Sequence, residues 1–187
     1  MRLFIDLDGV VGDWVGQACK TFKIDRTDPA VHDLLKHELG IRRLIDDRDM
    51  WKTINSLGAK WWDDIQLFPW SHTLVSRLKE VGNVCFLTSP SFSASAAAGK
   101  MTWLPRNFPN TPFIITRYKE FCAGPDSILI DDHVSNIERF EAAGGHGFHF
   151  PNSEHLLNPQ TDLKIEHVID SILNDIREIS SSQKITT

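Results

Sequence analysis

The chain has 187 residues, 41% of them hydrophobic, which is enough to bury a core within one domain carrying at most a small inserted subdomain. Its formal net charge of −5 leaves no basic track for long nucleic acid, so an anionic ligand has to be met by a few local cations or a metal. Apolar runs are only a few residues long and an acidic pair follows the first of them, so neither a membrane span nor a signal peptide is expected, and the cytoplasm is the expected compartment.

In chain order, short apolar runs bounded by turn residues alternate with helical patterns, the signature of βαβ units and a parallel sheet. The first predicted strand, Leu3-Phe4-Ile5, runs into Asp6-Leu7-Asp8-Gly9. From Trp14 to Pro69 no strand pattern occurs. Asp28 as cap, Pro29 at the first helical position and Gly40 past the end predict a helix there, and shorter ones carry Ile41-Leu44-Ile45 and "MWKTINSLG". Cys19 falls in this stretch; with Cys85 and Cys122 it makes an odd, unclustered set, expected as reduced thiols. "GIRRLIDDRD" alternates in sign and is expected as an exposed helical face.

A helix is predicted from Ser71 to Val81, then strands at Val84–Leu87, Phe113–Ile115, Ile128–Ile130 and Phe148–Phe150, with a helix from Asn136 to Ala143. "SPSFSASAAAG" (89–99) is expected as a loop or a loosely wound helix start. The last helix, Asp162 to Ile179, repeats Ile165, Val168, Ile169, Ile172, Leu173 and Ile176 at helical spacing, and "SSSQKITT" reads as a frayed tail. The expected architecture is an α/β, doubly wound, Rossmann-like parallel sheet. Residues 1–13 and 70–187 form its core, and 14–69 a small helical cap inserted after the first strand.

In open α/β sheets ligands bind at the carboxyl ends of the strands. Asp6 and Asp8, Thr88 and Ser89, and Asp131 and Asp132 each follow a predicted strand, so four carboxylates and two hydroxyls are expected along one sheet edge. Clustered carboxylates repel and shift one another's pKa, and Mg²⁺, which suits a few carboxylates plus waters and a phosphate, resolves that repulsion.

"DLDGV" after a strand, an "LTS" strand end, a later lysine and "ILIDD" resemble the four motifs of the haloacid-dehalogenase-like phosphohydrolases, from Leu3 to about Phe150. Within that superfamily the chain is most similar to the 5'(3')-deoxyribonucleotidases. The details that carry this are Trp14 after the first motif, "WW" ahead of "LFPWS", "TSP", "KMTW" at Lys100–Trp103 and "TRYK" at Thr116–Lys119. The resemblance implies a Mg²⁺-dependent phosphomonoesterase acting on nucleoside monophosphates, preferably deoxyribonucleotides. It makes Asp6 the nucleophile that becomes an aspartyl-phosphate and Asp8 the proton donor to the leaving alkoxide. It also implies metal ligation by Asp6, the Asp8 carbonyl and one of Asp131 and Asp132, with Asp132 favoured and Asp131 orienting water or pairing with Lys100. Lys100, Thr88, Ser89 and amides of the turn at Gly9 meet the phosphoryl oxygens, and Lys119 binds substrate.

Other readings of the same residues compete. "DLDG" alone is an ordinary turn, Lys100 suits a solvated side chain, and Arg117 with Lys119 suits a surface pair around Tyr118. Trp14 and Trp62 are expected to line a pocket for a nucleobase, although core filling is the usual fate of a cap tryptophan. His146 and His149 point to opposite faces of a strand, which disfavours zinc; His133, beside Asp132, is the histidine of interest. The rival functions are a sugar-phosphate phosphatase, a non-catalytic phosphate-binding module and end-processing of nucleic acid. The last helix either covers the sheet or pairs two subunits into a homodimer.

Overall fold

The computed structural model describes residues 1–37, 40–91 and 93–185, the last three of these by their backbone. Five strands, β1 (Arg2–Ile5), β2 (Asn83–Thr88), β3 (Phe113–Ile115), β4 (Ser127–Asp131) and β5 (His146–His149), form a parallel sheet in the order β3-β2-β1-β4-β5. Phe4 lies in register with Cys85 on one side and Leu129 on the other. The chain leaves β1 in one direction to build β2 and β3 and returns on the other side for β4 and β5, so the topological switch lies between β1 and β4.

Side-chain alternation splits each central strand between two layers. Leu3, Ile5, Val84, Phe86, Ile128 and Ile130 face the larger core, shared with α5 (Ser71–Lys79), α6 (Ala94–Asn107) and α9 (Ile165–Ile185). Phe4, Leu87 and Leu129 face the other way, onto Ile137 and Phe140 of α7 (Val134–Ala142). The near-continuous apolar runs in β1 and β4 are what a strand covered on both faces requires.

Between β1 and α5 the elements are all helical: α1 (Trp14–Phe22), α2 (Pro29–Leu35), a 3₁₀ turn (Ile41–Arg43), α3 (Asp47–Leu57) and α4 (Ala59–Asp63). Asp13, Asp28 and Asp46 cap three of these by accepting backbone N–H bonds. Trp14, Trp51, Trp61 and Trp62 pack on one another with ring centroids 5.0–6.5 Å apart, and their cluster is continuous with the larger core.

Several boundaries differ from expectation. The helix capped by Asp28 ends at Leu35 rather than before Gly40; a Cβ on Gly40 would lie 2.6 Å from Leu35 Cα, so the glycine serves a chain reversal (positions 38 and 39 lie outside the described residues). β5 begins at His146, and Phe150 follows it as a fully buried side chain. α7 begins at Val134, two residues before Asn136. Within 89–99, where position 92 lies outside the described residues, the loop ends at Ser93, whose hydroxyl caps α6. Ser180, Ser181 and Ser182 continue α9, each hydroxyl bonded to the carbonyl four residues back, so the expected fraying does not begin there; positions 186 and 187 lie outside the described residues. "GIRRLIDDRD" forms the 3₁₀ turn and the start of α3, with an exposed Arg42–Asp47 ion pair. Cys19, Cys85 and Cys122 are free thiols, and no helix among the described residues is long and apolar enough to cross a membrane.

Candidate active site

The site forms where β1, β2 and β4 end. The Asp6 N–H still bonds to the Ile130 carbonyl at 2.9 Å, which carries the sheet one residue past β1 and sets Asp6 against the end of β4. The chain then turns tightly: the N–H groups of Val11 and Gly12 both bond to Leu7 O, and Gly9 has φ +81°. A Cβ on Gly9 would overlap the Asp132 carboxylate, so only glycine lets this turn approach the end of β4. β4 delivers Asp131, fully buried, and then Asp132, partly buried. Asp6, Asp131 and Asp132 each present an oxygen within 4.8 Å of the other two.

Two lysines reach in from separate elements. Lys119, 3% exposed, opens the 3₁₀ turn Lys119–Cys122 that precedes β4. Its Nζ donates to Asp131 Oδ2 at 2.6 Å and lies 2.7 Å from Asp6 Oδ1, an ion pair whose angles fall outside hydrogen-bond geometry. Lys100, 1% exposed, projects from α6, and its Nζ donates to Asp8 Oδ2 (2.6 Å), Thr88 Oγ1 (2.9 Å) and Ser89 O (2.7 Å). The same ammonium stands 5.2 Å above the Trp62 ring, which adds a cation–π contact.

These contacts separate the two acids of the first motif. Burial opposes ionisation of Asp6, but Lys119 and then Lys100 outweigh it and hold the carboxyl below its ordinary value of 3.8. Burial raises Asp8, and the nearby Asp6 charge adds to the rise, so it stays above 3.8 despite Lys100. Asp132 is pushed well above 3.8 by burial and by Asp6 and Asp131. Lys119 is held firmly protonated: Asp6 and Asp131 overcome the burial that would favour its neutral form.

Four carboxylates therefore face two ammonium groups, and Asp8 Oδ1 and Asp132 Oδ1 are buried with no hydrogen-bond partner. Uncompensated carboxylate oxygens in a desolvated cleft are costly, and a hard divalent cation with oxygen preference supplies the missing partner. Mg²⁺ fits this donor set.

Some expectations change in detail. Asp131 pairs with Lys119, not Lys100, and Lys100 goes to Asp8. Lys119 is thus neither a surface cation nor open to solvent. The Asp8 carboxylate turns toward Lys100 and is not among the three that converge. Trp62 is 2% exposed and offers no open face for stacking; Trp14 is partly buried against Trp51 and Trp61. Ser89 contributes its carbonyl to Lys100, and with Arg117 it lines an open cavity of about 380 Å³ beyond β2 and β3. His133 precedes α7 and donates its backbone N–H to Asp131, and His146 and His149 bond to the carbonyls of Pro125 and Asp132. Asn136, passed over in the sequence, donates its amide to both oxygens of Asp131. Its only sequence signal is an amide in the first turn of the helix that follows an acidic pair.

The five-stranded parallel sheet in this strand order gathers acids at the ends of β1 and β4, a Thr-Ser end on β2 and two inward lysines at one edge. Solved structures share the fold. A haloacid-dehalogenase-like family hydrolase from Xanthomonas campestris aligns with TM-score 0.57 at 11% identity, over 97% of this chain and 94% of that one. A hydrolase from Streptococcus pneumoniae TIGR4 gives 0.53 at 15%, over 90% and 97%, and the HAD-hydrolase YfnB from Bacillus subtilis, solved bound to magnesium, gives 0.50 at 11%, over 86% and 90%. None of the curated proteins compared with the chain matches it in sequence. The chain belongs to the family described as 5' nucleotidase, deoxy (pyrimidine), cytosolic type C protein, whose model matches residues 1–162, and it is a phosphomonoester hydrolase.

Proposed function

We propose that this protein hydrolyses nucleoside monophosphates, deoxyribonucleotides foremost, in a Mg²⁺-dependent reaction through an aspartyl-phosphate on Asp6. The observation that carries the reading is the convergence of Asp6, Asp131 and Asp132 beside an Asp8 whose acidity is shifted the opposite way from that of Asp6. Family membership supports the substrate class.

Asp6, ionised and backed by Lys119, attacks phosphorus; the ester P–O bond breaks as Asp8 gives its proton to the departing oxygen. Asp8, now a carboxylate, takes a proton from water as that water attacks the Asp6-bound phosphorus, and inorganic phosphate leaves with Asp6 restored. Lys100 holds Asp8 toward the leaving group and, with Thr88 and the amides of the turn at Gly9, faces the phosphoryl oxygens. Asp6, Asp132 and the Asp8 carbonyl would hold Mg²⁺, which would supply charge compensation for the phosphoryl group. Residues 14–69 act as a cap over the strand ends, and 1–13 with 70–187 as the hydrolytic core. The free thiols accord with a cytoplasmic site of action, and the charge of −5 accords with a small substrate rather than long nucleic acid.

One observation favours a rival substrate: burial of Trp62 removes one of two expected stacking faces, which suits a sugar phosphate. Phosphate release from a panel of deoxyribonucleotides, ribonucleotides and sugar phosphates, with Mg²⁺ or chelator, separates the two. Deoxyribonucleotides are expected to lead, chelator to abolish release, and Asp6→Asn to lose turnover while retaining nucleotide binding. Faster release from sugar phosphates than from every nucleotide overturns the substrate assignment, and turnover by Asp6→Asn overturns the mechanism.

A further inference from the structure

Asp131 is the one fully buried carboxylate of the cluster, and the partners of its two oxygens are defined. Oδ1 accepts the His133 N–H at 2.9 Å and Asn136 Nδ2 at 3.0 Å. Oδ2 accepts Lys119 Nζ at 2.6 Å and the same Asn136 Nδ2 at 3.0 Å. One turn further along α7, Arg139 Nη2 donates to Asn136 Oδ1 at 2.6 Å. That bond decides the orientation of the amide, because an oxygen claimed by a guanidinium leaves only the NH₂ end for Asp131. A continuous chain of contacts therefore runs from an exposed arginine through Asn136 and Asp131 to Lys119, and from Lys119 to Asp6 Oδ1.

We propose that Asn136 is a positioning residue for the nucleophile, acting through Asp131 and Lys119, with Arg139 fixing its orientation; this rests on the reading of Asp6 as nucleophile given above. The amide straddles both Asp131 oxygens and so resists rotation of that carboxylate about its terminal torsion, which is otherwise soft. Rotation carries Oδ2 away from Lys119, and the ammonium that aims Asp6 then loses its anchor. Asn136 itself needs no contact with substrate, so its removal is expected to slow chemistry without weakening ground-state binding. Partners one contact removed from a reacting or ligating group typically matter by about 10- to 100-fold, and Asn136, acting through two intervening residues, belongs at the lower end of that range.

The test compares wild type with Asn136→Ala and Asn136→Asp, the latter equal in shape but presenting an acceptor where a donor is needed. The readouts are kcat and KM on a nucleoside monophosphate and the rate of phosphoenzyme formation in a single turnover. Both variants are expected to lose about 10-fold in kcat and in phosphoenzyme formation, with KM within about twofold of wild type. Arg139→Met is expected to shift kcat in the same direction by a smaller factor, and Arg139→Lys to restore it. These exposed-site variants decide the matter if Asn136→Ala does not fold. Wild-type kcat in Asn136→Asp, or an effect confined to KM, overturns the inference alone. A wild-type enzyme that turns over without forming a phosphoenzyme overturns the underlying reading and this inference with it.

Discussion

Asp6 and Asp8 are separated by a single leucine, yet their carboxyls enter different environments because the pairing with β4 reaches only as far as Asp6 before the chain turns. Asp6 meets Lys119, which holds it ionised, whereas Asp8 meets burial and the charge of Asp6, with Lys100 as partial compensation. On the proposed mechanism, turnover needs ionised Asp6 with protonated Asp8. The working window thus opens above the lowered pKa of Asp6 and closes as pH rises through the raised pKa of Asp8. At saturating Mg²⁺ and substrate, kcat is expected to fall along an alkaline limb set by Asp8. Asp8→Asn, which can neither give nor take the proton, is expected to lose about 10²- to 10⁴-fold in kcat at every pH measured. Retention of that limb at full amplitude in Asp8→Asn counts against Asp8 as the acid.

The element that carries Lys100 is also the one most tightly joined to the helical insertion. α6 crosses α4 with Gly99 at the contact, where a Cβ would overlap the Ala59 carbonyl and Trp62 Cβ. Nearby, Asp63 at the end of α4 accepts from Thr102 (2.8 Å) and Arg106 (2.6 Å) of α6. Gly99→Ala must separate the two helices and is expected to cost about 1–3 kcal/mol of stability, read as a lower urea midpoint. Because Lys100 is the next residue, kcat is expected to fall with it; an unchanged midpoint and rate overturn the claim of close approach. The strands that place the site were legible as short, near-continuous apolar runs bounded by turn residues in β1, β2 and β4, since each is covered on both faces. α6 was not: "SASAAAG" lacks an apolar stripe, and its helix is decided by the Ser93 cap and by packing on α4. Asn136 escaped notice for a similar reason, since its importance arises from where α7 sits over Asp131.

Across the whole molecule, unbalanced carboxylates are expected to make the resting protein sensitive to cations. Asp132, with its pKa raised in the folded state, favours folding most strongly below its unfolded pKa, and that contribution is lost as pH rises through the folded value. Above its unfolded pKa, Asp132 is therefore a net cost to folding in metal-free protein. Saturating Mg²⁺ is expected to raise Tm, with about 2.7 kcal/mol available at 100 times Kd. Asp132→Asn is expected to raise the metal-free Tm and to abolish the Mg²⁺-induced shift; an undiminished shift in that variant removes Asp132 from the ligand set. Long-range pairing also fixes the insertion: Arg26 joins Asp13, the cap of α1, to both oxygens of Glu154, a carboxylate 128 residues away and 1% exposed. By itself the sequence determined the alternation of strands and helices and the placing of acids and hydroxyls at strand ends, because periodicity and turn chemistry act over a few neighbouring residues. The tertiary structure alone decided that Lys100 serves Asp8 and Lys119 serves Asp131, and that Trp62 is buried. Ion-pair partners separated by 92 and 12 residues are selected by how helices and loops close over the sheet, which no local pattern encodes.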